Sequence, residues 1–203
     1  MNKNFAKVRL SAEEMRLVTD PAWILTKNSV MGKVVGMFGQ LSEGWKEPKI
    51  SKGENYKGLP WVMLDYPRVF GREDVYAIRL FFLWGHAFSV TLHLKGVYKE
   101  TFLPVIRSRW AELEAAGFEV SIADDEWAHE HTEETYGPLR VGTEQAGAVD
   151  GTGESAGNEM AGIERPWLKL SARVGLEHWD EAPERLSELH HLLMGIISDT
   201  GDR

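Results

Sequence analysis

Three consecutive apolar runs in the middle of the chain constrain the fold more than any other feature. They read WVMLDYPRVF (61–70), VYAIRLFFLW (75–84) and AFSVTLHL (87–94), and short turn-forming stretches separate them. Runs of this length, rich in β-branched and aromatic residues, predict consecutive strands joined by tight turns. We therefore expect an antiparallel meander at the centre of the fold.

The second hairpin of this meander permits a prediction of register, because a shift of one residue would exchange the two faces of a strand. If Leu83 pairs with Ala87, one face is wholly apolar; it contains Ile78, Leu80, Phe82, Phe88, Val90 and Leu92. The opposite face is mixed; it contains Ala77, Arg79, Phe81, Leu83, Ser89, Thr91 and His93. We expect the apolar face to meet helices and another part of the chain to cover the mixed face in part.

Two helices are predicted before the strands. Ser11 and Glu14 have the spacing of a capping box, and Pro21 suits the first turn of a second helix. Apolar residues recur every seven positions along this second helix, at Ile24, Met31, Phe38 and Trp45. Its three glycines, Gly32, Gly36 and Gly39, predict close packing of the helix backbone against another element.

The remaining pattern predicts two further helices and two further strands. One helix occupies 98–116, with its regular part starting near Pro104, and the other runs from a cap at Asp180 to Asp199. The strands are FEVSI (118–122) and PWLKLSARV (166–174). Because strands and helices do not alternate regularly, we predict an α+β fold. It has a single antiparallel sheet of about five strands, packed by N-terminal, middle and C-terminal helices.

Composition bounds the organisation of the chain. We expect residues 1–203 to form one domain, with a flexible insertion rich in Gly, Ala and Glu at about 136–164, where apolar residues are too few to offset ordering entropy. The chain has no cysteine and no long apolar run, so we expect a cytoplasmic protein with no membrane partner. The absence of thiolates and of any cofactor motif leads us to expect no cofactor.

The charge is divided along the chain. Residues 1–110 carry 17 Lys and Arg against 10 Asp and Glu, while residues 111–203 carry 6 against 21. A basic half could bind a polyanion. Since the whole chain has a net charge of −8, two halves that pack with complementary surfaces are the favoured interpretation, and nucleic acid is not a favoured partner.

The stretch KISKGENYKGLP (49–60) combines lysines with glycines, as anion-binding loops do. Lys52 and Lys57 are the candidate ligand-binding residues there. Phosphate loops, however, lie between a strand and a following helix, whereas this stretch follows a helix and precedes a strand. The favoured interpretation is therefore a solvated connector, which Asn55 and Tyr56 could fasten to the sheet.

Two further groups of residues are candidates for chemistry. His129 and His131 would point the same way on a strand and could ligate a metal, but their acidic surroundings favour a solvated segment and no metal. On the mixed sheet face, Asp65, Arg79 and His93 could form a catalytic group, with His93 as base and Arg79 holding an anion. Thr91 lies beside them, and Tyr66, Trp84 and His86 near the strand ends could line a ligand pocket.

At YKGLP, followed by a strand, the chain resembles a group of uncharacterised bacterial soluble α+β proteins, in particular the YktB-like domain of unknown function. The resemblance covers residues 51–94 and implies an α+β fold. It carries no catalytic residue over to this chain.

These observations lead us to expect a non-enzymatic binding or interaction protein for a small molecule or a protein partner. The ligand would be a small anion, and the mixed sheet face could alternatively form a homodimer interface. The enzymatic alternative is a hydrolase or transferase acting on a small anionic substrate through Asp65, Arg79 and His93. The two classes differ in whether these three side chains converge on an open concavity.

Overall fold

The computed structural model describes residues 9–139 and 163–199 and shows an α+β fold. The elements, in chain order, are α1 (Ala12–Thr19), α2 (Ala22–Leu41), β1 (Lys49–Tyr56), β2 (Leu59–Phe70), β3 (Val75–Leu83), β4 (Ala87–Lys95), α3 (Val97–Ser108), α4 (Trp110–Ala115), β5 (Phe118–Ser121), β6 (Tyr136–Pro138), β7 (Trp167–Gly175), a 3-10 helix (Leu176–Glu181) and α5 (Ala182–Ser198).

All seven strands form one antiparallel sheet in the order β1-β2-β3-β4-β7-β5-β6. The meander β2-β3-β4 confirms the central prediction, and β7 lies between β4 and β5. The sheet has two strands more than predicted, because β1 and β6 were not recognised as strands.

Strand β1 corrects the interpretation of residues 49–60 as a solvated connector. Lys49–Tyr56 pairs with β2, and the two residues of the turn, Lys57 and Gly58, have φ values of 51° and 86°. Positive φ at both positions is the geometry of the commonest two-residue hairpin turn. The lysines that suggested a loop are typical of an exposed edge strand, where they discourage pairing with another chain.

The predicted register of the second hairpin is confirmed, since Leu83 pairs with Ala87 and Ile78 with Leu92. The apolar face packs against α2, α3 and α5 in one core. Met31, Val34 and Phe38 are the buried residues of α2, and Ile106 and Leu193 are among those of α3 and α5. Each large apolar side chain buried in such a core contributes about 1.5–3 kcal/mol to stability.

The helix boundaries differ in part from the prediction. The capping box is confirmed, because the Ser11 amide donates to Glu14 Oε2 at 2.6 Å and the Glu14 amide to Ser11 Oγ at 3.2 Å. Helix α3, in contrast, begins at Val97 and continues through Pro104. Asp180 lies inside the 3-10 helix and does not cap α5. In both places the packing of apolar residues against the core outweighs the preference of a single residue, Pro104 or Asp180, for a helix start.

The outward face of α2 is open. A Cβ atom added to Gly32, Gly36 or Gly39 would meet nothing within 4 Å, so the predicted close packing of these glycines does not occur among the described residues.

Strand β6 occupies the first residues of the predicted insertion, and 140–162 lie outside the described residues. Within 9–139 and 163–199, no helix is both long and apolar enough to cross a membrane.

Candidate functional site

The mixed face of the sheet is covered by residues 122–135, which join β5 to β6 without forming a helix or strand. We call these residues the covering segment. The polar side chains beneath it are Asp65, Arg79, Ser89, Thr91, His93, Lys169 and Ser171, with Arg173 at the margin. Of the covering segment, Asp124, Asp125, Glu133 and Glu134 are exposed, as predicted for a solvated segment, but Glu130 is buried. Two groups that are distant in sequence, the segment and the sheet face, therefore meet in the fold.

Arg79 lies at the centre of this contact. Its Nε and Nη2 donate to the two carboxylate oxygens of Asp65 at 2.7 and 3.2 Å, and its Nη1 donates to His129 Nε2 at 2.8 Å. Because a guanidinium group cannot accept, His129 Nε2 is the acceptor and the ring proton lies on Nδ1. The side chains of Arg79 and Asp65 are only 11% and 8% exposed. The cation is therefore already paired and is not free to hold a substrate anion.

Lys169 on β7 holds the covering segment through the main chain. Its Nζ donates to the carbonyl oxygen of Glu126 at 3.1 Å and to that of Ala128, and lies 3.4 Å from His129 Nδ1. Burial, together with the nearby Arg79 cation, lowers the pKa of Lys169 to about 7. The lysine contacts two backbone carbonyls, so this attachment depends on the path of the segment rather than on its side chains.

His131 connects the covering segment to the hydroxyl groups of the sheet. Its Nε2 lies 2.8 Å from Ser171 Oγ, which lies 2.7 Å from Thr91 Oγ1, and its ring stacks on Tyr136 with centroids 4.1 Å apart. Burial, and the charges of Arg173 and Lys169, lower the pKa of His131 to about 4. The imidazole is therefore neutral near pH 7.

His93 is also buried beneath the covering segment. Its Nε2 is 3.6 Å from Glu126 Oε2, and neither atom has a hydrogen-bond partner among the described residues. Burial, followed by the charges of Lys169, Arg79 and Lys95, lowers the pKa of His93 to about 3. A general base works best with a pKa near the working pH. Asp65, Arg79 and His93 thus share one face as predicted, but they lie under the covering segment and not in an open concavity.

The β1–β2 turn fastens the middle of the covering segment. The Glu130 carboxylate accepts hydrogen bonds from the Tyr56 hydroxyl and the Lys57 ammonium, and the His129 amide donates to the Tyr56 oxygen at 2.7 Å. Burial would raise the pKa of Glu130, but the hydrogen bonds from Lys57 and Tyr56 outweigh it and lower this pKa. Lys57, a predicted ligand residue, is therefore the partner of a buried carboxylate.

A cleft of about 210 Å³ remains where the covering segment stops short of the β3–β4 turn. Phe81 and Ser89 form its floor, His131 one wall, and His86 and Arg173 its rim. The Arg173 guanidinium makes one long contact, 3.4 Å to the His86 carbonyl oxygen, and no ion pair with any described residue. The cleft therefore combines an unpaired cation, an exposed imidazole and a buried hydroxyl.

A metal does not fit His129 and His131. Both ring nitrogens of His129 face cationic side chains, and His131 faces Ser171 and Glu119. In the part of the chain that the structure describes, no group of three His, Asp or Glu residues could hold a metal ion.

Three other predicted ligand residues do not reach the cleft. The ring of Tyr66 stacks on Trp45 at 5.0 Å and its carbonyl oxygen accepts from His190 Nε2 at 3.0 Å, on the helical side of the sheet. Trp84 contacts Phe82 edge-on in the same core. Lys52 is exposed on β1, opposite Val62. Of the predicted pocket residues, only His86 lines the cleft.

The sequence reasoning missed the contribution of β7. Lys169, Ser171 and Arg173 alternate with Leu168, Leu170, Ala172 and Val174, which is the period-two pattern of a strand with one apolar and one polar face. This alternation could have placed all three polar residues on the mixed face.

Neither the protein-family models, nor the curated proteins, nor the solved structures contain a match to this chain. The resemblance to the YktB-like domain stays a prediction, and the site is interpreted from its own geometry.

Proposed function

We propose that the protein is a non-enzymatic binding protein that takes up a small anion in the cleft between the β3–β4 turn and the covering segment. The observation that carries the proposal is the Arg173 guanidinium at the rim, which makes no ion pair with a described carboxylate. The half-exposed Glu119 is within range of its charge, which opposes the rise in the pKa of Glu119 that burial causes. A planar, permanently charged group with free donors is suited to bidentate recognition of a carboxylate or phosphate.

The groups around Arg173 support an anion over a cation. Glu130, the buried carboxylate that lines the cleft, is already compensated by Lys57 and Tyr56. His86 and Ser89 add donors at the rim and on the floor of the cleft. Lys169 lies under the same covering segment without a carboxylate hydrogen-bonded to it among the described residues, and its charged form also favours an anion.

The size of the cleft limits the ligand. Drug-sized ligands occupy pockets of roughly 300–1,000 Å³, so a cleft of about 210 Å³ suits a ligand of few non-hydrogen atoms. Phosphate, a phosphorylated three-carbon compound or a small dicarboxylate has the required size and charge. A cytoplasmic location, which we propose from the absence of cysteine, would supply such anions.

The test is a thermal-shift titration of the pure protein with phosphate, small phosphorylated compounds, dicarboxylates and nucleotides. A ligand at 100 times its Kd stabilises the folded state by about 2.7 kcal/mol. We expect one small-anion class to raise the Tm of the wild type, and we expect that shift to disappear in Arg173→Met.

The matched control is Arg72→Met, which removes the same charge from the exposed β2–β3 turn, where Arg72 is 95% exposed and, among the described residues, pairs only with Glu73. The Tm shift should persist in this variant. Flat titrations for all anions, or equal loss of the shift in both variants, would overturn the proposal and leave a protein partner as the better candidate.

A further inference from the structure

Exposed apolar side chains are concentrated at the N-terminal end of the described chain. Eleven large apolar residues are exposed among the described residues, and seven of them are Leu10, Met15, Leu17, Val18, Trp23, Ile24 and Leu25. Their exposures run from 43% to 70%, and α1 buries no residue at all. We call residues 10–26 the helical arm. Single exposed apolar residues are ordinary, but a group this dense marks an interaction surface.

The arm extends beyond the core because the row of apolar residues along α2 is longer than the part of the helix that packs against the sheet. Met31, Val34 and Phe38 are buried, whereas Ile24, one repeat earlier, is 52% exposed. Lys27 marks the boundary, since its Nζ binds Glu54 on β1 at 2.6 Å. Two turns of an apolar helix and the whole of α1 therefore lack a partner within the described chain.

The opposite face of α2 provides a surface of matching shape. Leu25, Ser29, Gly32, Gly36 and Gly39 follow one another at alternating spacings of four and three residues, as in helices that pack along their length. Nothing lies within 4 Å of a Cβ built on any of the three glycines. A shallow groove of about 360 Å³, lined by Met37 and Trp179 among others, runs beside Gly36.

We propose that a second copy of this chain packs antiparallel along α2, so that the helical arm of each copy covers the glycine end of the other. In the antiparallel alignment that centres on residues 30 and 31, Leu25 lies opposite Gly36 of the partner copy and Ser29 opposite Gly32. The Leu25 side chain of each copy then packs over Gly36 of the partner copy, so this contact occurs twice in each dimer. The contact is closed by two-fold symmetry, as most homodimer contacts are.

The exposed area is enough for a homodimer contact of modest size. Without Ile24, which lies on the core-facing stripe of α2, six side chains at roughly 100 Å² each amount to roughly 600 Å² per copy, against ~800 Å² per partner in a standard interface. The charge of the arm argues against a membrane as the occupant. Its one basic residue, Arg16, is outnumbered by Glu13, Glu14 and Asp20, so anionic lipids would repel the arm as a whole.

This dimer is independent of the anion site. The mixed sheet face, which was also an expected dimer surface, lies under the covering segment.

Light scattering after size exclusion should give twice the mass of the chain for the wild type across the micromolar range. Leu25→Glu and Gly36→Leu should each give the mass of one chain. Gly36→Leu raises helix propensity, and a Cβ atom at this position meets no described atom within 4 Å, so loss of the dimer in this variant is not expected to come from unfolding.

The matched control is Val97→Glu, at an apolar residue of α3 that is 55% exposed and does not belong to the arm, and it should remain dimeric. A monomeric wild type, or a dimer that survives both arm variants, would overturn the proposal. So would a wild type that is monomeric in solution and sediments with vesicles of anionic lipid, which would assign the arm to a membrane.

The absence of native cysteine permits a direct test of the alignment. In the double variant Leu25→Cys, Gly36→Cys, mild oxidation should produce a covalent dimer. The two positions in one chain are about 16 Å apart along the helix, too far for an internal disulfide, which needs Cα atoms within about 7 Å. The single variant Leu25→Cys should give none, because a disulfide between the two Leu25 positions would require a parallel pair.

Discussion

The two faces of the sheet are held against the rest of the chain by different forces. On the helical face, Ile78, Leu80 and Phe82 contact apolar residues of α2, α3 and α5. On the mixed face, charged and hydrogen-bonding groups attach the covering segment, and Lys169 binds its main chain. Apolar contacts tolerate replacement by groups of similar volume, whereas a buried polar network loses most when only one member is removed. The difference predicts distinct responses to mutation and to pH.

The largest expected effect is on the helical face. Phe82 is buried and contacts Phe88 and Trp179. Phe82→Ala should lower the free energy of unfolding by about 3–5 kcal/mol, because it removes buried surface and leaves a cavity. Urea denaturation measures this change. Phe70→Ala, at a ring that is 44% exposed, is the control and should cost far less; similar losses in the two variants would contradict the assigned core.

The next effect is on the mixed face, at the Asp65–Arg79 pair. Arg79→Met should lower the free energy of unfolding by about 3 kcal/mol, because the Asp65 carboxylate would remain buried without its partner. Adding Asp65→Leu to this variant should restore a large part of the loss. A double-mutant cycle measures the coupling, and additive losses would show that the pair does not act as a unit.

The mixed face should also make the protein sensitive to acid. The pKa of His131 is about 4 in the folded protein and ordinarily 6.5, so between these values the unfolded chain binds more protons than the folded one. The stabilisation is complete above about pH 6.5 and is lost as the pH falls toward 4, with a slope of up to about 1.4 kcal/mol per pH unit for this proton. Its charged neighbours are Lys169 and Arg173 on β7 and Glu119 on β5.

The measurement is the free energy of unfolding at several pH values between 4 and 7. His131→Gln should flatten the slope, whereas His191→Gln, on the exposed side of α5, should leave it unchanged. His93, His129 and His190, whose pKa values are also lowered by burial, contribute to the slope that remains. If the free energy of unfolding depends on pH with the same slope in both variants, His131 is not a cause of the acid sensitivity.

The smallest effect concerns the attachment of the covering segment to the β1–β2 turn. Tyr56→Phe removes the hydroxyl that binds Glu130 and the His129 amide, and should cost about 1 kcal/mol. Hydrogen exchange should become faster at the His129 amide while amides on β3 stay protected. Unchanged exchange at His129 would show that Lys169 and Arg79 alone hold the segment.

The helical face was predictable because its signals are local. The period-two pattern of 75–94 and the seven-residue repeat of α2 each depend on residues close in sequence, and the register followed from the turn. The misassigned stretches have ambiguous local signals. Strand β1 has the composition of a loop, and Pro104 suggested a helix start in a place where the core instead holds a continuous helix.

The mixed face was only partly predictable, because its contacts join residues far apart in sequence. Arg79 and His129 were both identified as candidates, but in separate groups, since nothing in the sequence indicated that the covering segment crosses the strand of Arg79. Arg173 was missed because β7 was identified from its apolar residues alone. The partners of a polar residue depend on which strands and segments become neighbours in the fold, and the periodicity of a sequence does not show this.

The position of β7 has a consequence for how the chain reaches its fold during synthesis. β7 is the last of the described strands in sequence, yet it lies inside the sheet, between β4 and β5. As the chain leaves the ribosome from its N-terminus, β1 to β4 can pair at once, whereas β5 waits until β7 has been made. Until then β4 is an unpaired edge of mostly apolar residues, which is prone to pair with other chains. A chain interrupted before β7 is therefore expected to aggregate and to be a substrate for chaperones or proteases.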